Sequence, residues 1–142
     1  LKDGVKKMSK SDPSDLSRIN LTDDEHQILN KIKKAKTDPL PMPSDKENLL
    51  ERPEAKNLLE IYSCLVNKKL DDSINEFKGK NFSNFKEILS EILIEKIFPI
   101  SKEIKKLLDD KKYLDDILLE GSSKADEIAS KKIKEIKKLV GF

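Results

Sequence analysis

Residues 83–110, SNFKEILSEILIEKIFPISKEIKKLLDD, decide the fold. Phe85, Ile88, Leu89, Ile92, Leu93, Ile97, Ile100, Ile104, Leu107 and Leu108 recur three and four apart. That spacing places them on one face of a helix, whereas a half-buried strand would alternate every second residue. The stretch therefore predicts a long amphipathic helix from Ser83 to about Asp110. Pro99 lies inside it. A kink is expected there, because proline lacks the N–H of the ladder and its ring meets the carbonyl four residues back.

Toward the C-terminus the same period continues and predicts a last helix from about Tyr113 to Leu139. Gly121, Ala125 and Ala129 stand four apart and line one side of it. Small side chains in register allow close helix approach, so this side is expected to face another helix, the 83–110 helix first of all. Ile128, Ile133, Ile136 and Val140 widen the stripe. Residues 109–127 carry seven acids and three lysines, and 131–142 carry five lysines and one glutamate. Acids early and lysines late suit the helix dipole.

Toward the N-terminus, KLDDSINEFKGK predicts a short helix closed by Gly79. RPEAKNLLEIYSCLVNK puts Pro53 in a first turn, where its missing N–H is harmless, and repeats Leu58, Leu59, Tyr62, Leu65 and Val66 at helical spacing. TDPLPMPS holds three prolines in eight residues and reads as an extended connector. LTDDEHQILNKIKKAK predicts another helix, with Thr22 and Glu25 as a capping box and Asp23 and Asp24 near its positive end. Lys31, Lys33, Lys34 and Lys36 fall toward its other end, and Ile28, Leu29 and Ile32 form its buried stripe. Residues 1–20, with Gly4, several serines and Asp12-Pro13, read as loop. The expected fold is an all-α helical bundle over 21–142, preceded by a loop segment over 1–20.

Composition agrees. The chain has 142 residues, 39% charged, 36% hydrophobic and 5% aromatic, with four glycines and no tryptophan. Such Lys/Glu/Ile/Leu enrichment favours helices, and strands would need more valine, threonine and aromatics. The net charge of +2 excludes a strongly basic nucleic-acid footprint over the whole chain. Residues 1–36, 37–98 and 99–142 carry +3, −3 and +2. The single cysteine, Cys64, excludes an internal disulfide and fits a reducing compartment. No apolar run approaches the length of a membrane span. The opening LKDGVKK lacks the apolar region of a signal peptide and reads as a cut within a longer polypeptide. Neither a G-x-G-x-x-G nor a P-loop motif occurs.

The chemistry-bearing candidates lie near the two ends. Lys7 and Lys10 stand three apart around Met8 and Ser9. In a tight turn both ammoniums converge on one polyphosphate, with turn N–H groups and serine hydroxyls as further donors. A plain Ser/Lys-rich surface loop has the same letters. Lys131, Lys132 and Lys134 read equally as a phosphate-binding face or a solvated one. Cys64 is expected as a small half-buried hydrophobe rather than a nucleophile, and His26 as a surface residue without a second metal ligand. Asp71-Asp72 and Asp115-Asp116 are read as helix N-terminal charge rather than as metal ligands. Arg52 reads as a contact for a phosphate or for a neighbouring carboxylate, the structural reading first.

One resemblance goes further. Lys7-Met8-Ser9-Lys10-Ser11 spells KMSKS, the nucleotide-binding loop of class I aminoacyl-tRNA synthetases. KMSKSDPSDLSRINLTDD, RPEAKNLLEIYS and ADEIASKKIKEIKKLVGF, in that order and spacing, resemble the bacterial tryptophan-specific family of that class. The likeness covers essentially the whole chain. It implies a C-terminal fragment that begins just before the KMSKS loop, with a helical anticodon-binding domain behind it. It implies Lys7, Met8, Ser9, Lys10 and Ser11 as the ATP-binding residues, with Lys10 and Lys7 catalytic. Lys131, Lys132 and Lys134 are the candidates for contact with tRNA. The implied partners are ATP with Mg²⁺ as substrate, tryptophan, tRNA(Trp) and a second copy of the full-length chain. No tightly bound cofactor, no dedicated metal site and no membrane are implied, and the location is the cytoplasm. The tryptophan pocket would lie outside this chain, so the fragment alone is expected to be inactive. Two other readings are the same region of a tyrosine-specific synthetase and a helical protein-interaction module in which the five letters are coincidental.

Overall fold

The computed structural model describes residues 1–141. Its elements are a short 3-10 turn, Asp15–Ser17, and helices α1 (Glu25–Lys33), α2 (Lys46–Leu50), α3 (Pro53–Val66), α4 (Leu70–Phe77), α5 (Phe82–Asp109) and α6 (Lys111–Val140). No strand occurs among the described residues, as the composition predicted. The chain forms two compact units, Leu1–Lys102 and the remainder from Glu103 onward.

The first unit holds the core. Ile28 and Ile32 of α1, Ala55, Leu58, Leu59 and Tyr62 of α3, Ile74 and Phe77 of α4, and Phe82, Phe85, Leu89 and Leu93 of α5 are all buried. At its centre three aromatic rings meet edge to face or tilted. Centroid separations are 4.8 Å for Tyr62–Phe77, 4.7 Å for Phe77–Phe85 and 5.9 Å for Tyr62–Phe85. Such pairs add about 0.5–1.5 kcal/mol beyond the area they bury. Where α3 meets α4, the Ser63 hydroxyl donates to the Leu59 carbonyl at 2.7 Å and lies 2.8 Å from the Ser73 hydroxyl. These buried polar groups are thus paired. α3 ends on Asn67 in the left-handed region, φ 53°, a conformation asparagine tolerates better than most residues.

The proline-rich connector is less open than its composition suggested. Met42 is buried. Its N–H donates to the Lys80 carbonyl at 2.8 Å, and its own carbonyl accepts from Gly79 N–H at 3.2 Å. Gly79 sits at φ +71°, which lets the chain turn there between α4 and α5. The Arg52 guanidinium grips Asp38 with two bonds, at 2.9 and 2.6 Å, and donates to the Pro41 carbonyl at 2.8 Å. Arg52 is structural, as expected.

Several sequence expectations need correction. The first cap lies two residues later than Thr22–Glu25. Asp24 accepts from Gln27 N–H at 2.8 Å and Gln27 Oε1 accepts from Asp24 N–H at 2.8 Å. Starting α1 there frees Asp23 to turn inward. Leu29 is 46% exposed, because the buried stripe runs 28, 32, 35 and leaves it on the flank. Helix α2 was not foreseen; Asp45 caps it by accepting from Asn48 N–H at 2.8 Å. Cys64 is exposed rather than half-buried. His26 is exposed as expected, and Asp71 and Asp72 occupy the first turn of α4. α5 continues through Pro99.

In the second unit, α6 starts on Asp110, which accepts from Tyr113 N–H at 3.0 Å, and ends on Gly141 at φ 85°. None of its residues is buried. A Cβ placed at Gly121 meets nothing within 4 Å, and Ala125 and Ala129 are exposed.

Candidate nucleotide-binding loop

Lys7, Met8, Ser9, Lys10 and Ser11 are all exposed. The Ser9 and Ser11 hydroxyls lie 3.0 Å apart, and Ser11 N–H donates to Ser9 Oγ at 3.3 Å. Asp12 N–H donates to the Ser9 carbonyl at 3.3 Å. The stretch thus closes into a turn over Ser9–Asp12. None of the five side chains enters an ion pair among the described residues. Both ammoniums are therefore available to an anion.

Each stem of the loop is held by an aspartate. On the entering side, Asp3 Oδ1 accepts from Val5 N–H at 2.9 Å and Lys6 N–H at 3.1 Å. These two backbone bonds hold the Asp3 carboxyl below the usual carboxylate range. On the leaving side, Asp12 Oδ1 accepts from Ser14 N–H at 2.7 Å, and Arg18 donates to the Asp12 carbonyl at 3.1 Å.

The stems are in turn fixed to the helical body. Gly4 lies directly against the start of α3: an added Cβ would stand 2.5 Å from the Pro53 carbonyl oxygen and 2.7 Å from Glu54 N. Only glycine permits that approach. Beside it, Lys36 N–H donates to the Leu1 carbonyl at 3.0 Å, and the Lys36 ammonium pairs with Glu54 at 2.7 Å. That contact raises the Lys36 pKa and lowers the Glu54 pKa. On the other stem, the buried Lys31 ammonium lies 2.6 Å from Asp23 and 2.7 Å from Asp15. Its hydrogen bond to Asp15 lowers that carboxyl's pKa. Asp15 belongs to the turn that follows the loop, and Lys31 belongs to α1.

Sequence reasoning missed both anchors. Their signals were present: Gly4 just before the motif, and a lysine at 31 on the apolar stripe of 28, 32 and 35.

The candidate lysines near the other end occur in the second unit. Lys131 pairs with Glu127 at 2.8 Å and Lys132 with Glu135 at 2.9 Å, both on the exposed surface of α6. Lys134 enters no ion pair among the described residues. Among the described residues no three His, Cys, Asp or Glu side chains gather as a metal site. No described helix is long and apolar enough to cross a membrane.

The Lys-Met-Ser-Lys-Ser turn carries the letters that resemble the nucleotide-binding loop of class I aminoacyl-tRNA synthetases. Residues 1–112 match the family model of tRNA synthetases class I (W and Y), and the chain belongs to that family. Over its whole length it is 51% identical to a tryptophan–tRNA ligase of Agrobacterium fabrum, of which it covers 40%. It is 50% identical to one of Rickettsia felis and 47% identical to one of Caulobacter vibrioides, covering 42% and 41% of them. The chain thus spans about two fifths of the length of the curated relatives it matches.

Proposed function

We propose that this chain is the C-terminal part of a tryptophan–tRNA ligase. Residues 1–20 would close the catalytic domain with its ATP loop, and 21–142 would form the helical tRNA anticodon-binding domain. The observation that carries this reading is the unpaired Lys7–Ser11 turn, held on both stems in a chain whose relatives bear that name. In the reaction, the tryptophan carboxylate attacks the α-phosphorus of ATP, and the bond to pyrophosphate breaks. The tRNA terminal hydroxyl then takes the acyl group from the adenylate, releasing AMP.

Negative charge builds on the departing pyrophosphate in the first step. Groups that meet this charge better in the transition state than in the ground state accelerate it. Lys10 and Lys7 would supply that contact, Lys10 the more directly. Met8 and Ser9 would border the adenosine, and Ser11, through Ser9, would keep the turn in shape. Mg²⁺ would arrive with ATP, held by its phosphates. Tryptophan would bind in the part of the protein outside this chain, and the full-length chain would work as a cytoplasmic homodimer.

The test uses the intact protein. Lys10→Ala should slow adenylate formation a few hundredfold, about 3–4 kcal/mol, while tRNA affinity stays near wild type. Neutralising Lys131, Lys132 and Lys134 together should leave adenylate formation intact, weaken tRNA binding and flatten its salt dependence. Normal activation by Lys10→Ala would remove the catalytic role given to the loop. An unchanged salt slope would leave the three lysines as a solvated face.

A further inference from the structure

The leaving stem of the loop holds a side chain to which the loop chemistry gives no part. Arg18 Nη1 donates to the Asp12 carbonyl at 3.1 Å, and Asp12 directly follows the Lys7–Ser11 stretch. The same guanidinium donates through Nε to Asn20 Oδ1 at 3.2 Å, and its Nη2 lies 3.6 Å from Asp15 Oδ1. One planar group therefore spans oxygens of three residues. The Arg18 side chain is 19% exposed, so water competes little for these contacts.

Two of the three residues are anchored and one is not. Asn20 Nδ2 donates to Asp15 at 2.8 Å, and Asn20 N–H donates to Asp23 at 2.8 Å. Asp15 and Asp23 both pair with the buried Lys31 ammonium of α1. Asp15 and Asn20 are thus tied to the helical body. Asp12 has only local bonds of its own, from its N–H to the Ser9 carbonyl and from Ser14 N–H to its carboxylate. Among the described residues, the hydrogen bonds made by Lys7–Asp12 stay within residues 7–14, apart from the one given by Arg18. Lys10 lies inside the turn that Asp12 closes on Ser9. Where Asp12 is held therefore sets what the Lys10 ammonium can reach.

We propose that Arg18 is a positioning residue for Lys10: by tying the Asp12 carbonyl to the Asp15, Asn20, Asp23 and Lys31 group, it fixes the turn where the Lys10 ammonium meets the departing pyrophosphate. The inference rests on the ligase reading of the loop. Arg18 acts through the backbone and needs no contact with ATP. Lysine is a poor replacement, because one ammonium on a flexible stem lacks the planar fork that reaches all three oxygens.

Pre-steady-state adenylate formation by the intact protein, at saturating tryptophan and across an ATP series, tests this. The burst amplitude counts active sites, and the rate constant is read per site. Arg18→Ala should lower that constant by about ten- to a hundredfold. The ATP concentration giving half the maximal rate should stay within about twofold of the parent, since Lys10 serves rate rather than ground-state affinity. Arg18→Lys should recover only a small part of the loss. The same substitution is then made in Lys10→Ala protein. There Arg18→Ala should change the rate by no more than about twofold, because the group it positions is already gone. Should the alanine variant not fold, the cycle is run with Arg18→Lys.

A merely structural Arg18 would lower the melting midpoint and the burst amplitude and leave the rate per site unchanged, which overturns the proposal. Equal losses in the parent and in Lys10→Ala protein would place the effect elsewhere and overturn it as well. A raised ATP requirement with an unchanged maximal rate would make Arg18 an ATP contact instead. Full activity of Arg18→Lys would overturn the need for the fork. An intact parent that forms no adenylate would end the ligase reading and this inference with it. A parent that forms adenylate at a rate Arg18→Ala does not alter would overturn the positioning role alone.

Discussion

Helices α5 and α6 carry apolar stripes of the same period and end differently. Phe85, Leu89 and Leu93 of α5 are buried, with exposures of 0%, 0% and 4%. Ile128, Leu118 and Leu139 of α6 are 73%, 68% and 85% exposed. Local pattern says which side of a helix is apolar; burial requires a surface opposite it. In the first unit that surface is supplied by Tyr62, Phe77 and their neighbours on α3 and α4. α6 depends instead on its caps, its i,i+4 pairs such as Lys131–Glu127, and propensity.

The largest expected effect sets the two helices against each other. Phe85→Ala removes a ring in contact with two others and should cost about 3–5 kcal/mol of stability. Ile128→Ala should stay within about 0.5 kcal/mol. Urea unfolding of both variants measures the difference. A cost of several kcal/mol for Ile128→Ala would mean that α6 is packed in solution.

Next in size is the ion pair that braces the loop. Lys31→Met leaves the buried Asp23 carboxylate without its cation and should cost about 3–5 kcal/mol at neutral pH. Urea unfolding of the variant beside the parent measures the cost; an unchanged midpoint would mean that the pair is solvated in solution. In the intact protein the same change should also slow adenylate formation, because Asp15 would no longer be tied to α1.

Much of this was legible in the sequence, and the gaps share a cause. The all-α class, the α3 and α4 boundaries, the Pro53 and Gly79 punctuation and the core residues of α3 and of the first half of α5 follow from period and turn chemistry; Ile100, Leu107 and Leu108, on the same stripe, are exposed. The loop residues were legible as letters, since a short exposed motif needs no long-range contact to be recognised. Its anchors were not, because Gly4 and Pro53, or Asp15 and Lys31, meet only after the chain has folded. The Thr22 cap failed for a local reason: three candidate caps lie within LTDDEHQ, and the deciding contact is Asp23 with Lys31, eight residues on. The small-residue stripe of α6 shows the limit of spacing, which marks a face and cannot name its partner.

A smaller effect lies at alkaline pH. The Tyr62 hydroxyl is pushed up to about 12, first by burial and then by its bond to Glu76. Unfolded, it ionises near the ordinary tyrosine value of 10.0. The folded state holds its proton longer, so the stability it contributes is complete below about pH 10 and is lost as pH rises toward 12. The loss should approach about 2–3 kcal/mol. Tyr62→Phe should cost about 1 kcal/mol at pH 7 for the missing hydrogen bond and should remove this part of the alkaline decline. An unchanged decline would assign it to lysines.

The smallest effect probes α6 directly. Gly121 lies in the middle of a 30-residue helix with nothing within 4 Å of its missing Cβ. Alanine there loses less backbone entropy on folding and meets no neighbour. Gly121→Ala should therefore stabilise the helix by about 0.5–1 kcal/mol. Gly121→Leu should behave nearly the same, because leucine is also a good helix former and finds open space. Thermal melting followed by circular dichroism, read together with amide hydrogen exchange along α6, measures both. If the helix relies on its own hydrogen bonds, its amides exchange faster than those of Phe85 and Leu89, and both substitutions slow them. A destabilising leucine beside a stabilising alanine would show instead that a neighbour lies against this face, and would give α6 the same dependence on packing as α5.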